Sequence, residues 1–365
     1  MNHVLRPTPF FLKSFRQSNS FAVAAYKPLE SLRNPTNLLK NYAQLSKSRL
    51  TLLMVLTAMS GVAISPLPTT VPVLLSTALG TALCSASANT LNQLQEIPFD
   101  AQMARTRMRP LVRRSITPLH AAGFALVTGV AGPAILWAMT NPTTALLGAA
   151  NIGLYAGVYT WMKRQTIWNT WVGSVVGAIP PVMGWTACGG HLIPTASNPV
   201  QLFFPPFMAS APLPDLADNP LAPIALFALL FSWQFPHFHP LSHLMRSAYA
   251  QAGYQMLSVL SPRKNSLVAL RHAVLLFPIC SVLIPLSGLT TWTFALTSLL
   301  PNLIWTHATW RFWRVGGDKE ARVAWRHGLW WLPVILALMM VHKQGVNWTQ
   351  WLGFREAEEE DSDSS

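Results

Sequence analysis

Long apolar segments follow one another along most of the chain, and its positive charges lie in every second connection between them. Most of these segments are long enough to cross a bilayer core of about 30 Å as a helix. The alternate connections carry all but two of the 26 Lys and Arg residues, the exceptions being Lys343 and Arg355. This pattern predicts an all-α, polytopic membrane protein, a bundle of about nine transmembrane helices. The segments lie near residues 44–64, 70–94, 118–138, 143–162, 167–187, 221–244, 267–287, 291–312 and 327–342.

The charge balance excludes an ordinary soluble domain. Only 11% of the residues are charged and 51% are hydrophobic, whereas a soluble domain carries about 25% charged residues. The net charge of +13 comes mainly from loops on one side of the membrane, so it is no sign of nucleic-acid binding. The bias predicts that the N-terminus lies on the cationic side and the C-terminus on the opposite side.

The two ends of the chain differ in composition from the apolar part. The first 29 residues have no Asp or Glu but include Arg6, Lys13, Arg16 and Lys27, which is typical of a mitochondrial transit peptide; a disordered basic tail is the alternative. We therefore expect a transit peptide and basic tail at 1–40, an intramembrane domain at 41–345 and an acidic, disordered tail at 346–365. If the transit peptide is real, the cationic side faces the matrix.

Asn92, Glu96 and Asp100 stand four residues apart at the end of the second apolar segment. In a helix this spacing turns each side chain only about 40° from the last, so all three share one face. Carboxylate and amide oxygens suit Mg²⁺, although ion pairing with Arg105 or Arg109 explains the carboxylates equally well. Pro98 predicts that the helix ends or kinks here.

Cations follow this motif at once. Arg105 and Arg109 are candidates for holding phosphate, since guanidinium groups bind it through two hydrogen bonds. Lys163 and Arg164 close the fourth segment, with Asn169 two turns later, and either add to an anion site or anchor a helix. Arg113 and Arg114 need no explanation beyond topology.

Three histidines, His237, His239 and His243, lie within seven residues at the end of the sixth segment. A zinc site lacks a third ligand of known placement. Contact with a haem substrate and simple polar lining of a cavity both remain open. Pro240 disturbs the face that His239 and His243 would share.

Taken together, these motifs resemble the UbiA-type intramembrane prenyltransferases, in their haem O synthase (protohaem IX farnesyltransferase) form. The resemblance covers roughly residues 40–340. It rests on four stretches in the same order: Asn92-x₃-Glu96-x₃-Asp100 with Met103-x-Arg105-Thr-x-x-Arg109-Pro110, Tyr159-Thr-Trp-Met-Lys-Arg-Gln-Thr-Ile-Trp-Asn-Thr170, Gly177-Ala-Ile-Pro-Pro-Val-Met-Gly-Trp185, and Phe231-Ser-Trp-Gln-Phe-Pro-His-Phe238.

The resemblance implies a helical bundle with a matrix-facing cavity in the mitochondrial inner membrane. Mg²⁺ at Asn92, Glu96 and Asp100 would hold farnesyl diphosphate, and the allylic cation would be attacked by a vinyl group of haem B, giving haem O for haem A and cytochrome c oxidase biogenesis. Farnesyl diphosphate, haem B and membrane lipid are the expected partners, with haem A synthase a further candidate. Arg105, Arg109, Lys163 and Arg164 would neutralise the diphosphate; the remaining substrate-binding positions are Asn169, His237, Arg246 and Tyr249.

One stretch departs from the family pattern. The family carries an acidic pair just before the tyrosine after the sixth segment, whereas this chain reads Arg246-Ser247-Ala248-Tyr249. A single metal, help from His239, His243 or Ser247, and impaired activity are the alternatives. Polyprenyl transfer to an aromatic acid, a transporter and an inactive assembly factor compete with haem farnesylation.

Overall fold

The fold is entirely helical over the residues that the computed structural model describes, 35–208 and 218–346. Within these ranges the chain forms no β-strand, only an isolated bridge between Thr290 and Lys343. The all-α prediction is therefore confirmed for the described part. The predicted transit peptide and acidic tail lie almost wholly outside the described residues and stay predictions.

Helices follow the predicted apolar segments closely. Each predicted segment coincides with a helix or with a run of helical pieces. The main helices are α1 Pro35–Leu45, α2 Ser48–Ile64, α3 Val71–Asp100, α4 Pro118–Met139, α5 Pro142–Gly153, α6 Thr160–Met162, α7 Asn169–Ala187, α8 Leu221–Leu244, α9 Arg246–Gln251, α10 Leu257–Leu260, α11 Pro262–Pro278, α12 Ile284–Leu286, α13 Thr293–Thr297, α14 Leu299–Arg314 and α15 Gly317–Val341.

Several of these segments are not single straight helices. Five helical stretches in the described part are long and apolar enough to cross a membrane, if α11 and its continuation to Leu286 are counted as one. Helices α1 and α2 make a sixth if this pair, bent by 55°, is one span. The segment 143–162 is divided by a π-helical turn at Leu154–Tyr159, and Ile279–Leu283 forms another such turn after α11. The count of nine spans stays a prediction.

Cationic connections and connections without this charge lie at opposite ends of the bundle. At the neutral end, Lys343 donates from Nζ to the carbonyl oxygens of Ala63 and Ser65, at 2.8 and 2.9 Å. At the cationic end, Arg113 donates to Asn41 Oδ1 at 3.0 Å and to Gln44 Oε1 at 2.9 Å. These contacts join segments that are far apart in sequence at the two ends of the bundle.

Helices α2 and α7 cross with their backbones in contact. A Cβ added at Gly61 would lie 2.0 Å from the carbonyl oxygen of Pro181, and one added at Gly184 would lie 2.0 Å from that of Ala58. Small residues allow this close approach between membrane helices. The crossing fixes the position of α7, whose first residue belongs to the candidate site.

Gly184→Ala is expected to destabilise the protein by about 1–3 kcal/mol, because the added methyl group must force α2 and α7 apart. The measurement is the midpoint of thermal unfolding in detergent, followed by tryptophan fluorescence. Gly123→Ala in α4 is the matched control, since an added Cβ there meets no atom within 4 Å. Equal midpoints for the two variants would refute the close crossing.

Candidate active site

The last turns of α3 place three oxygen-bearing side chains in the interior. Asn92, Glu96 and Asp100 are all buried, with 0%, 5% and 1% of their surface exposed. The helix continues through Pro98 and ends at Asp100, so the expected break at Pro98 does not separate the three residues. Polar side chains buried on one face of an apolar helix indicate a functional site.

Glu96 is paired with a lysine from a distant part of the chain. Lys163 follows α6 and donates from Nζ to Glu96 Oε1 at 2.7 Å. The Lys163 ammonium also lies 4.5 Å from the centre of the Tyr159 ring and 5.9 Å from that of Tyr254. These aromatic faces stabilise the buried cation.

Asp100 is paired with Arg109, from the loop that follows α3. The guanidinium donates to Asp100 Oδ2 and lies 3.8 Å from Glu96 Oε2. Thr106 donates from its hydroxyl to the backbone carbonyl of Asp100 at 2.9 Å, which folds the arginine loop back over the helix end. The ion pairing weighed from the sequence is thus present for Arg109.

Lys47 is a member of this cluster that sequence reasoning missed. It lies between α1 and α2 with φ of 48°, and its Nζ donates to Asn92 Oδ1 at 2.9 Å and to the Tyr155 hydroxyl at 3.2 Å. Asn92 in turn donates to Thr160 Oγ1 at 3.0 Å. A lysine inside the first predicted apolar segment was the signal available, since charges within such segments mark function.

Tyr254 belongs to the loop before α10 and lies close to the carboxylates of Glu96 and Asp100. Its burial, together with the negative charges of Glu96 and Asp100 nearby, holds the pKa of this phenol above its usual range. Tyr254 therefore stays protonated at neutral pH. Its neighbour Tyr249 is also buried, with the two ring centres 6.0 Å apart.

Asn169 supports the site without contacting the carboxylates. It is buried at the start of α7, and its amide donates to the carbonyl oxygens of Thr166 and Gln255 at 2.6 and 3.1 Å. The backbone N–H of Gln255 donates to the backbone carbonyl oxygen of Lys163 at 2.7 Å. Asn169 thus holds the loop that carries Tyr254 and Gln255 next to Lys163.

Arg105 and Arg164 lie at the rim. Arg105 is exposed and, within the described part, forms no side-chain hydrogen bond or ion pair. The Arg164 guanidinium lies 4.5 Å from the centre of the Phe99 ring, next to Asp100. Both guanidinium groups keep their hydrogen-bonding capacity for a ligand.

The remaining predicted residues contact neither Glu96 nor Asp100 through a hydrogen bond or ion pair within the described part. His237 stacks on Trp233 with ring centres 4.9 Å apart and faces Gly328 of α15. Arg246 pairs with Asp318 at 2.7 Å, and Ser247 is exposed. His239 forms reciprocal hydrogen bonds with Asn265, at 2.6 and 2.9 Å, which gives it a structural role.

Asp318→Asn is expected to change the free energy of unfolding by no more than the ~1 kcal/mol typical of surface ion pairs. The midpoint of thermal unfolding should therefore stay almost unchanged. Asp318 and Arg246 are both substantially exposed, with 56% and 43% of their side chains accessible. The variant also tests whether Asp318 replaces the missing acidic pair, because in that case prenyl transfer would fall by orders of magnitude. We expect activity within a few-fold of the wild type, measured as diphosphate release.

The carboxylates fit a hard metal ion. Asp100 Oδ1 is buried without a hydrogen-bond partner, and an oxygen-only donor set is what Mg²⁺ prefers. Within the described residues no group of three or more His, Cys, Asp or Glu is placed to hold a metal. A metal here would therefore depend on two carboxylates, an amide and oxygens of the ligand.

The balance of charge favours a polyanion. Lys47, Lys163 and Arg109 surround two carboxylates, and two further arginines lie at the rim. Buried cations that outnumber the carboxylates beside them suit a strongly negative group such as diphosphate, because a low-dielectric surrounding strengthens the attraction.

A buried acidic cluster, ringed by cations at one end of an apolar helical bundle, is typical of a site that binds an anionic group. Comparison with known proteins identifies the family: residues 53–333 match the model of the UbiA prenyltransferase family. The chain belongs to this family and is a prenyltransferase.

Its relatives among curated proteins share most of the chain. The mitochondrial protoheme IX farnesyltransferase of Neurospora crassa is 42% identical over 94% of this chain and 68% of that protein. The protein of the same name from Eremothecium gossypii is 40% identical over 94% of this chain and 77% of its own length.

Solved structures share the fold at low identity. A digeranylgeranylglyceryl phosphate synthase superposes with a TM-score of 0.65 at 13% identity, covering 83% of this chain and 98% of that one. A UbiA homologue from Archaeoglobus fulgidus bound to DMAPP and Mg²⁺ superposes with a TM-score of 0.58, also at 13% identity, over 82% and 99%.

Proposed function

We propose that this protein transfers the farnesyl group of farnesyl diphosphate to a vinyl group of haem B, giving haem O. The Glu96–Lys163 and Asp100–Arg109 pairs carry the proposal, because they bring carboxylates and cations to one buried site. The curated relatives named protoheme IX farnesyltransferase support the choice of haem as the acceptor. The haem O would serve haem A and cytochrome c oxidase assembly.

Glu96 and Asp100 are the residues proposed to hold Mg²⁺, together with Asn92. The UbiA homologue bound to DMAPP and Mg²⁺ supports a metal-dependent reaction. In this chain Asn92 Oδ1 accepts from Lys47, so a metal would compete with this lysine for the amide oxygen. A bound Mg²⁺ supplies positive charge at the diphosphate oxygens.

The protein's own cations act on the leaving group. As the bond between C1 of the farnesyl chain and oxygen breaks, its electron pair leaves with the diphosphate, and Lys163, Arg109 and Lys47 stabilise the added negative charge. Arg105 and Arg164 at the rim bind the outer phosphate. Because this stabilisation grows as the bond breaks, it lowers the barrier more than it tightens binding.

The allylic cation then meets the acceptor. The vinyl carbon of haem forms the new bond to C1, water adds to the adjacent carbon, and the proton released passes to solvent. The buried ring of Tyr254 and the half-buried ring of Tyr159 lie beside Lys163, and Tyr155 lies beside Lys47. These rings limit the access of bulk water to the cation, while a single water molecule is still needed to complete the product.

The relatives and the charge pattern support a cellular setting. We place the protein in the mitochondrial inner membrane with nine spans, its N-terminus and active-site loops on the matrix side. The relatives named mitochondrial support the compartment, and the one-sided Lys and Arg support the orientation. The farnesyl tail would lie among lipid chains, and haem A synthase would take up the product.

Diphosphate release tests the proposal against its competitors. Purified protein with farnesyl diphosphate and Mg²⁺ is given haem B in one arm and 4-hydroxybenzoate in the other. We expect release that depends on haem B. Release with 4-hydroxybenzoate alone would establish transfer to an aromatic acid, and no release with either acceptor would favour an inactive homologue.

A further inference from the structure

A cavity lies away from the acidic cluster, between α14 and α15. It has a volume of about 500 Å³, within the 300–1,000 Å³ range of small-molecule sites. Its apolar wall is formed by Leu303, Ile304 and Val323, all of them exposed. An apolar wall open to the lipid suits a ligand that enters from the membrane.

His307 is unexpected in this wall. It is exposed on α14, next to Leu303 and Ile304 in the cavity lining. Within the described part its ring forms no hydrogen bond or ion pair, and its one aromatic neighbour is Trp310, with ring centres 5.8 Å apart. An imidazole without a partner on an apolar membrane face indicates a functional role, and neutral imidazole is the commonest protein ligand of metals.

The second histidine of the cavity is held in one tautomer. His327 Nδ1 accepts from the Trp330 indole at 3.0 Å, so in the neutral ring the proton lies on Nε2. That nitrogen is then a donor rather than a metal ligand. His307 and His327 therefore offer different chemistry to the same cavity, one a metal ligand and the other a hydrogen-bond donor.

The cationic side of the bundle closes this cavity. Arg311 and Lys319 line it, together with Glu320. Glu320 is buried and accepts from Arg311 at 3.1 Å, so its charge is compensated. Lys319 is exposed and forms no ion pair within the described part. The remaining positive charge suits a carboxylate.

We infer that this groove binds the haem substrate before transfer, with His307 at the iron, the apolar wall against the macrocycle, and Lys319 and His327 at a propionate. The inference rests on the proposed function, in which haem B is the acceptor. Haem combines the three features that the groove recognises: an apolar face, a metal that takes imidazole and carboxylates. Gly328, the residue after His327, lies against His237, so α15 carries the groove on one face and contacts His237, a residue expected to contact haem, on another.

Haem titration of the full-length protein in detergent, without farnesyl diphosphate, tests the site. We expect a histidine-ligated Soret spectrum in the wild type and a dissociation constant raised about tenfold or more in His307→Ala. Lys319→Glu is expected to weaken binding while it keeps the ligated spectrum. His191→Ala is the matched control, an exposed histidine at the neutral end, and should bind like the wild type.

The contrary outcomes separate this inference from the proposed function. Wild-type binding in His307→Ala and Lys319→Glu, with haem O still formed, would overturn the groove alone. No haem binding and no haem O in the wild type would overturn both. If Lys319→Glu loses binding of fluorescent phosphatidylserine in mixed micelles but keeps that of haem, the groove is a lipid site and the inference fails.

Discussion

Lys163→Gln is expected to reduce kcat/KM for farnesyl diphosphate by about 10³-fold, the upper end of the loss when one preorganised group facing a developing charge is removed. Lys163 is buried and lies 2.7 Å from Glu96, so the variant removes the cation and leaves a buried carboxylate without its nearest partner. Because the negative charge grows during bond breaking, kcat should fall more than KM rises.

Diphosphate release at saturating haem B measures this effect. Lys40→Gln is the matched control, a lysine of α1 on the same side of the bundle that is exposed. We expect the control to keep wild-type kinetics and Lys163→Arg to be intermediate, since the guanidinium keeps the charge but not the geometry. A loss below tenfold in Lys163→Gln would remove Lys163 from the mechanism.

Asp100→Asn is expected to lower kcat/KM by a factor on the order of 10³ and to abolish the response to Mg²⁺, since metal assistance supplies several kcal/mol of charge stabilisation. The substitution keeps the shape of the side chain and removes one of the two buried carboxylates. The partner atom of Arg109, Oδ2, and the unpartnered Oδ1 both lose their charge.

A Mg²⁺ titration of diphosphate release distinguishes this role from a purely structural one. Asp318→Asn, in an exposed ion pair, should keep the wild-type Mg²⁺ dependence. If Asp100→Asn keeps the wild-type Mg²⁺ response, Asp100 holds Arg109 rather than a metal, and the ion pair seen in the structure is its whole function.

The helical architecture was open to prediction because hydrophobicity and charge are local properties. Each apolar segment forms a helix or a run of helical pieces. The charges of the loops distinguish the cationic end of the bundle from the opposite end. The breaks at Leu154–Tyr159 and Ile279–Leu283 were not predictable, since π-helical turns leave no comparable signal in the hydrophobic pattern. They depend on how neighbouring helices pack.

The site was predictable where it depended on spacing and not where it depended on long-range contacts. The interval of four placed Asn92, Glu96 and Asp100 on one buried face, as expected. Lys47 donates a hydrogen bond to Asn92, 45 positions away in the sequence, and Lys163 donates one to Glu96, 67 positions away. No local sequence pattern predicts either pairing. Arg246 pairs with Asp318, 72 residues later, which no local pattern predicts either.

The identity of the product decides whether this protein farnesylates haem at the acidic cluster. Purified protein is incubated with haem B, farnesyl diphosphate and Mg²⁺, with Asp100→Asn in parallel, and the porphyrins are analysed by mass spectrometry. We expect haem O from the wild type and its near-complete loss in the variant. Haem O formed equally by both, or unchanged haem B where a relative from Neurospora crassa converts it, would contradict haem farnesylation at this cluster.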